Sequence, residues 1–388
     1  MAFYHSMGQI PRKRHTVHRR SDGQLILEEM IGLDGFVGNK SLLYHTYSPT
    51  EIVRVGDNRS LDWELDEPRL LSRLFHTFNF KPLQRENDAV TGRRPILVND
   101  DVAISICHPS QSMDYFYRTA NGDEVYFVHE GNGKVESVLG ELGFHEGDYV
   151  VIPQGVTYRL LLGNGPVKLF VIEASGRVDT PERYRNTHGQ FLEHSPYCER
   201  DVRPPEKLVT HDERGEFELR VKRGNVVSTF YMGHHPLDVL GWDGFVYPYA
   251  INIRDFEPIT GRLHQPPPVH QMFEGQGFVV CSFVPRLFDY HPLAMPVPYY
   301  HNNINCDEVL YYVDGDFMSR KGVNRGSITL HPGGLVHGPQ PGKMEAGIGK
   351  KETDEVAVMI DTFRPLRVAK IAEEVEDKSY MLSWMENK

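Results

Sequence analysis

Apolar positions along this chain come in runs of five to eight, rich in β-branched and aromatic residues, and each run is closed by Gly, Pro or Asp. DEVYFVHE (123–130), GDYVVIP (147–153), VKLFVIEA (167–174), GFVVCSFVP (277–285), EVLYYVDG (308–315), GSITLHP (326–332) and EVAVMIDTF (355–363) follow this rule. Such runs read as strands, because branched and aromatic side chains suit a pleated, half-buried surface and the closing residues suit turns. Helical periodicity is nearly absent. The exception follows Pro365, where Val368, Ile371, Ala372 and Val375 fall at i, i+3, i+4 and i+7, predicting one helix packed on the outside of the strands. From about 176 to 215 the text turns polar and Pro-containing with no apolar period, which predicts a connection between two units. The expectation is a mostly β protein of two domains, 1–195 and 196–388.

Composition narrows the classes. A chain of 388 residues, 40% hydrophobic, can bury a core in each of two domains. The net charge of −11 argues against nucleic acid or an anionic membrane as partner, since phosphate binding needs a broad basic face. The basic run from Arg12 to Arg20 resembles a nuclear signal or the start of a transit peptide, but reads better as folded surface. No 18-residue apolar run and no signal-peptide start occur, so a cytoplasmic location without membrane insertion is expected. Cys107, Cys198, Cys281 and Cys306 lack C-x-x-C spacing and read as reduced thiols.

The two halves echo each other. Glu124 precedes Gly131 by seven residues, and Gly147, Pro153, Gly155 and Tyr158 follow; Glu308 to Gly315, then Gly326, Pro332, Gly334 and His337, share that internal spacing. A two-part spacing that recurs in one chain points to duplicated structure. It resembles the paired motifs of the cupin superfamily, which implies a bicupin: two antiparallel jelly-roll barrels with a few peripheral helices. The second half carries His301, Asn303, Glu308 and His337 at the motif positions, with Asn303 in place of the usual second His and Met295 in place of the leading Gly. In the first half Tyr117, Thr119 and Tyr158 stand where the motif His residues would be, so that barrel is expected to hold no metal.

Side chains two apart share a face of a strand, and the two motifs would lie on neighbouring strands. His301, Glu308 and His337 could therefore converge inside the second barrel. Two imidazoles and one carboxylate leave about three positions open on an octahedral ion, the facial arrangement of non-haem Fe(II) in oxygen chemistry. Asn303 keeps a fourth ligand away and leaves room for a bidentate substrate and O2. The alternative is a set of interior polar residues that hydrogen-bond one another.

Further stretches are similar to homogentisate 1,2-dioxygenases: YHSMGQIPRKRHTVHR (4–19), LLYHTYSPTE (42–51), HPLDVLGWDG (235–244), PYYHNN (298–303) and HGP (337–339). The resemblance implies Fe(II) held by His301, Glu308 and His337, and opening of an aromatic ring with both atoms of O2. An ion would compensate the desolvation of these groups. It also implies a general base in the LHQPPPVH loop, His264, with His270 and His291 as alternatives. The substrate-facing positions would be His331, His337 and Phe317. Phe317 stands where these enzymes carry Tyr, so one hydroxyl is missing and the preferred ring substituent is open.

The expected activity is Fe(II)-dependent conversion of homogentisate and O2 to maleylacetoacetate in tyrosine and phenylalanine breakdown, with His264 accepting the phenolic proton. One alternative is a related cupin acting on gentisate, a hydroquinone or another diol; the other is a non-catalytic sugar-binding or structural bicupin. The resemblance further implies a homo-oligomer, trimeric or hexameric.

Overall fold

The computed structural model describes residues 3–83, 87–297 and 299–385. Pro298, at the start of the PYYHNN stretch, lies outside them. All seven predicted runs are strands: Glu124–Glu130, Asp148–Ile152, Lys168–Ala174, Phe278–Phe283, Asp307–Asp314, Ser327–His331 and Val356–Thr362. The protein is mostly β, and its one α-helix among the described residues is the five-residue Lys343–Gly347.

Three seven-stranded sheets and one four-stranded sheet carry the architecture. Two of the large sheets face each other as the first barrel. One runs from Tyr249–Asn252 through Asp148–Ile152, Glu124–Glu130, Lys168–Ala174, Val102–Cys107 and Arg94–Val98 to Arg367–Val368. The other runs from Gly140–His145 to the edge strand Ile52–Ser60, with Arg214–Arg223 and Val226–His234 inside it. Its Phe116–Thr119 and Arg214–Arg223 strands pair in parallel. The third large sheet runs from Val178–Asp179 through Gln271–Gly275, Phe278–Phe283, Val356–Thr362, Asp307–Asp314 and Ser327–His331 to Arg73–His76. Beside it, among the described residues, stand the Arg286–Leu287/Glu352–Thr353 ribbon and an isolated bridge between His301 and His337.

Sheet membership does not follow a division at residue 195. Arg214–Arg223, Val226–His234 and Tyr249–Asn252 pair within the first barrel's sheets, Arg367–Val368 closes one of them, and Arg73–His76 closes the second-half sheet. The polar 176–215 stretch is pinned down: the buried Tyr184 and Tyr197 hydroxyls donate to the carbonyls of Gln271 (2.8 Å) and Met272 (2.6 Å).

The helix expected after Pro365 is a strand followed by a 3-10 turn. Arg367 and Val368 pair with Val98 and Leu97, and Glu376 bridges Phe75. Only Lys370–Val375 remains between these two fixed points, and six residues satisfy that span as a tight 3-10 segment rather than by nucleating an α-helix. Ala372 and Val375 are buried all the same.

The barrels share one core. Phe170 of the first stacks on Tyr311 of the second, centroids 4.4 Å apart and planes 9° apart, and Tyr149 meets Phe273 edge-on at 5.4 Å. Each large ring removes about 150–250 Å² from water, so this seam makes a major contribution to holding the halves together.

Candidate metal centre

Glu308 sits at the start of Asp307–Asp314, and its cross-strand neighbour is His331 at the end of Ser327–His331. Pro332, Gly333 and Gly334 then turn the chain; Gly334 has φ +91°, a left-handed conformation that glycine adopts without steric cost. His337 returns beside His301, and the two exchange backbone hydrogen bonds of 2.8 and 2.9 Å. Directly opposed residues present their side chains on one side, which brings the imidazoles together over Glu308.

The ligand atoms of His301, Glu308 and His337 lie within 4.8 Å of one another. His301 Nε2 is 3.5 Å from Glu308 Oε2, and His337 Nε2 is 3.6 Å from Glu308 Oε1. These separations are long for hydrogen bonds and close to the roughly 3 Å between adjacent donors around a six-coordinate ion. His337 Nε2 is buried with no hydrogen-bond partner. An orphaned imidazole nitrogen aimed at a carboxylate fits a cation between them, and two nitrogens with one oxygen suit a divalent transition metal.

Electrostatics agree. Burial alone would raise the Glu308 carboxyl, but the three imidazoles of His301, His331 and His337 outweigh it and hold the group well below the usual carboxylate range. Hydrogen bonding to Glu308 raises His301. His331 is wholly buried and pushed down to about 4 by desolvation and by Arg320. The ionised Glu308 can only accept, so His331 Nδ1 donates to it (3.0 Å), and His331 Nε2 accepts from the Tyr380 hydroxyl (3.2 Å). His331 also stacks on His337, 4.7 Å and 13°.

A cavity of ≈ 300 Å³ opens onto the group, lined among others by His264, His270, Tyr299, His301, Asn303, Glu308, Leu310, Arg320 and Met359. Both His264 and His270 thus reach the same space as the ligand set; His291 does not line it. His264 is held below its ordinary value by desolvation and meets Tyr299 edge-on at 5.4 Å. His270 is buried, pushed down to about 3 by desolvation, and its Nδ1 has no partner. Phe317 does not line the cavity: it is buried edge-on against Tyr312 at 4.7 Å. Neither His331 nor His337, the other two positions expected to face substrate, is in the cavity wall, and His331 lies behind Glu308.

Sequence reasoning missed three residues around this group. Arg320 is buried with its Nη1 donating to the Gly338 carbonyl (2.8 Å) and its Nε unpartnered. Tyr380 and Trp384 come from the 3-10 segment Tyr380–Trp384, and the indole donates to the same Gly338 carbonyl (3.1 Å). The only signal in the sequence was an aromatic cluster near the end of a polar tail.

The equivalent place in the first barrel is filled differently. Glu124 accepts from Tyr158 (2.6 Å) and from Arg93 (2.6 Å), and Arg93 also donates to Glu173 (2.6 Å), which Lys222 contacts as well. Glu173 is the cross-strand neighbour of Glu124, as Asp361 is of Glu308. A guanidinium stands where the second barrel gathers imidazoles.

Comparison with known proteins is consistent with this geometry. The sequence profile described as homogentisate 1,2-dioxygenase N-terminal matches residues 86–253. A protein of Saccharolobus solfataricus provisionally named a dioxygenase is 45% identical over 390 residues, 99% of each chain. Homogentisate 1,2-dioxygenases of Bradyrhizobium diazoefficiens and Nitrobacter hamburgensis are 29% and 27% identical, covering 66% and 67% of this chain but only 59% and 60% of their own length. Among solved structures, a cupin 2 conserved barrel domain protein from Leptotrichia buccalis aligns with 80% of this chain at 10% identity and TM-score 0.33. The protein is a mostly β, dioxygenase-like enzyme. Within that class the chain belongs to the homogentisate 1,2-dioxygenase family.

Proposed function

We propose that this protein opens the ring of a small aromatic diol acid with O2, with homogentisate as substrate, maleylacetoacetate as product and Fe(II) held by His301, Glu308 and His337. The observation that carries the reading is the convergence of those three side chains, two of which, His301 and Glu308, line a cavity sized for a single ring while His337 stands behind them. Iron(II), when bound, supplies the redox coupling between an electron-rich ring and O2.

The chain's own groups supply the rest. Leu310 and Met359 give the ring an apolar floor, while Asn303 leaves coordination space beside the imidazoles. Desolvation favours the neutral form of His264, whose unprotonated ring nitrogen would accept the phenolic proton; His270 Nδ1 is a second acceptor in the same cavity. His331 orients Glu308 and, by stacking, His337. The protein is read as a cytoplasmic homo-oligomer, trimeric or hexameric, acting without nucleic acid or membrane. The charge of −11 supports the former exclusion, and no helix among the described residues is long and apolar enough to cross a membrane.

The reading is tested by anaerobic purification with Fe(II), addition of homogentisate, and parallel measurement of O2 uptake and the product's ultraviolet band. Uptake of one O2 per substrate is expected. Absence of uptake with every para-diol acid on the iron-loaded protein removes the enzymatic reading. The same assay with gentisate, a hydroquinone and other substituted diols separates homogentisate from the alternative substrates, a choice on which Phe317, packed on Tyr312 outside the cavity wall, does not bear.

A further inference from the structure

A cavity of ≈ 960 Å³ lies between the Leu27–Gly32 strand and one face of the sheet formed by Phe116–Thr119, Arg214–Arg223 and Val226–His234. Alternation along these strands separates it from the first barrel's interior: Tyr117, Arg220 and Lys222 line the other side, while Arg118, Leu219 and Val221 line this one. Leu219, Phe230 and Met232 form an apolar wall facing Met30 and Ile31.

Into this wall is set one cation. The Nε of Arg118 is buried without a hydrogen-bond partner. Glu29 is the one charge that favours its protonated form, and that carboxylate is engaged by His45 Nε2 at 2.9 Å, while His45 Nδ1 is engaged by Asp238 at 2.7 Å. Desolvation accordingly depresses Arg118 below the ordinary guanidinium value. The other guanidinium of the cavity, Arg177, faces Asp34 and Asp179 at 3.5 and 3.3 Å. A desolvated guanidinium without a bonded counter-ion is costly, and a planar fork of donors matches a carboxylate.

We propose that this cavity is a binding site for an organic monocarboxylate, with the carboxylate on the Arg118 fork and a hydrocarbon or aromatic body against Leu219, Phe230 and Met232. It is separate from the metal centre and from the first barrel's interior, with neither of which it shares a lining residue.

The experiment is calorimetric titration of the chelator-treated full-length protein with decanoate and with phenylacetate, and with phenylacetamide as the uncharged control. Decanoate reports an aliphatic ligand and phenylacetate an aromatic one. The expected result is one acid bound per chain, at least tenfold weaker in Arg118→Met, unchanged in His337→Gln, and no comparable binding of the amide. Equal affinity in Arg118→Met overturns the proposal, as does amide binding as tight as acid, no saturable heat with either acid, or loss in His337→Gln instead. Should Arg118→Met fail to fold, Arg118→Lys takes its place: it keeps the charge and loses the fork, so weaker acid binding at an unchanged melting point supports the site, and unchanged affinity overturns it.

Discussion

Glu308 shows how a buried carboxylate is kept ionised by neighbours rather than by solvent. Three imidazoles surround it and they act differently. Two bring an Nε2 to 3.5 and 3.6 Å from its oxygens, that of His337 without a hydrogen-bond partner, and His331 spends its proton on orientation. Because Tyr380 fixes the His331 tautomer from behind, Tyr380→Phe is expected to weaken metal binding by about 10–100-fold while leaving the fold intact. Metal titration beside circular dichroism checks this, and an unchanged affinity would mean that the tautomer needs no help. Arg93 makes the opposite case. Arg93→Met leaves Glu124 and Glu173 with less charge compensation in a dry interior and should cost about 3–5 kcal/mol of stability in denaturant titration. Metal content of that variant should stay as in the wild type if Arg93 serves only the first barrel's architecture.

At the scale of strands, His45 ties the end of the interior strand Lys40–His45 to the Asp238 loop. Burial disfavours its charge, yet hydrogen bonds to Asp238 and Glu29 outweigh this and raise the imidazole to about 9. A folded value above the unfolded one of about 6.5 stabilises the native state fully below pH 6.5, and this contribution fades as pH rises through 9. It amounts to at most about 3 kcal/mol. The melting-point gap between wild type and His45→Gln should therefore be widest near pH 6 and narrow by pH 10; a gap that widens with pH would contradict the pairing. The strands were legible because their apolar runs are bounded by turn residues. The helix was not, since Val368 to Val375 has the right period but its ends are held by long-range pairing that no local pattern announces. For the same reason the ligand trio could be read from motif spacing, whereas Tyr380 and Arg320 reach the site from segments with no spacing of their own. Phe317 was misread in direction: its position in the motif is that of a substrate contact, but its ring turns to Tyr312.

For the whole molecule, the duplicated barrels differ in how their acidic pair is met: guanidinium and ammonium serve both carboxylates in the first, whereas in the second the imidazoles surround Glu308 alone and Asp361, with an unpartnered Oδ1, is raised to about 7 by burial and by Glu308. One metal per chain is the expected stoichiometry. Since bound metal stabilises only the folded state, chelation should lower the melting point by on the order of 5 °C, as about 2.7 kcal/mol at a hundredfold excess over the dissociation constant implies. Reloading with Fe(II) should restore it; an unaltered midpoint with no iron above background would favour the structural reading. The exchange of border strands between the two halves has its own consequence during synthesis. The edge strand Arg73–His76 must wait for Ser327–His331, and Arg94–Val98 must wait for Arg367–Val368. A nascent chain emerging from the ribosome would hold two unzipped sheet borders until Ser327–His331 and then Arg367–Val368 appeared, so chaperone occupancy on stalled intermediates should persist past residue 331 and drop only once residue 368 has emerged.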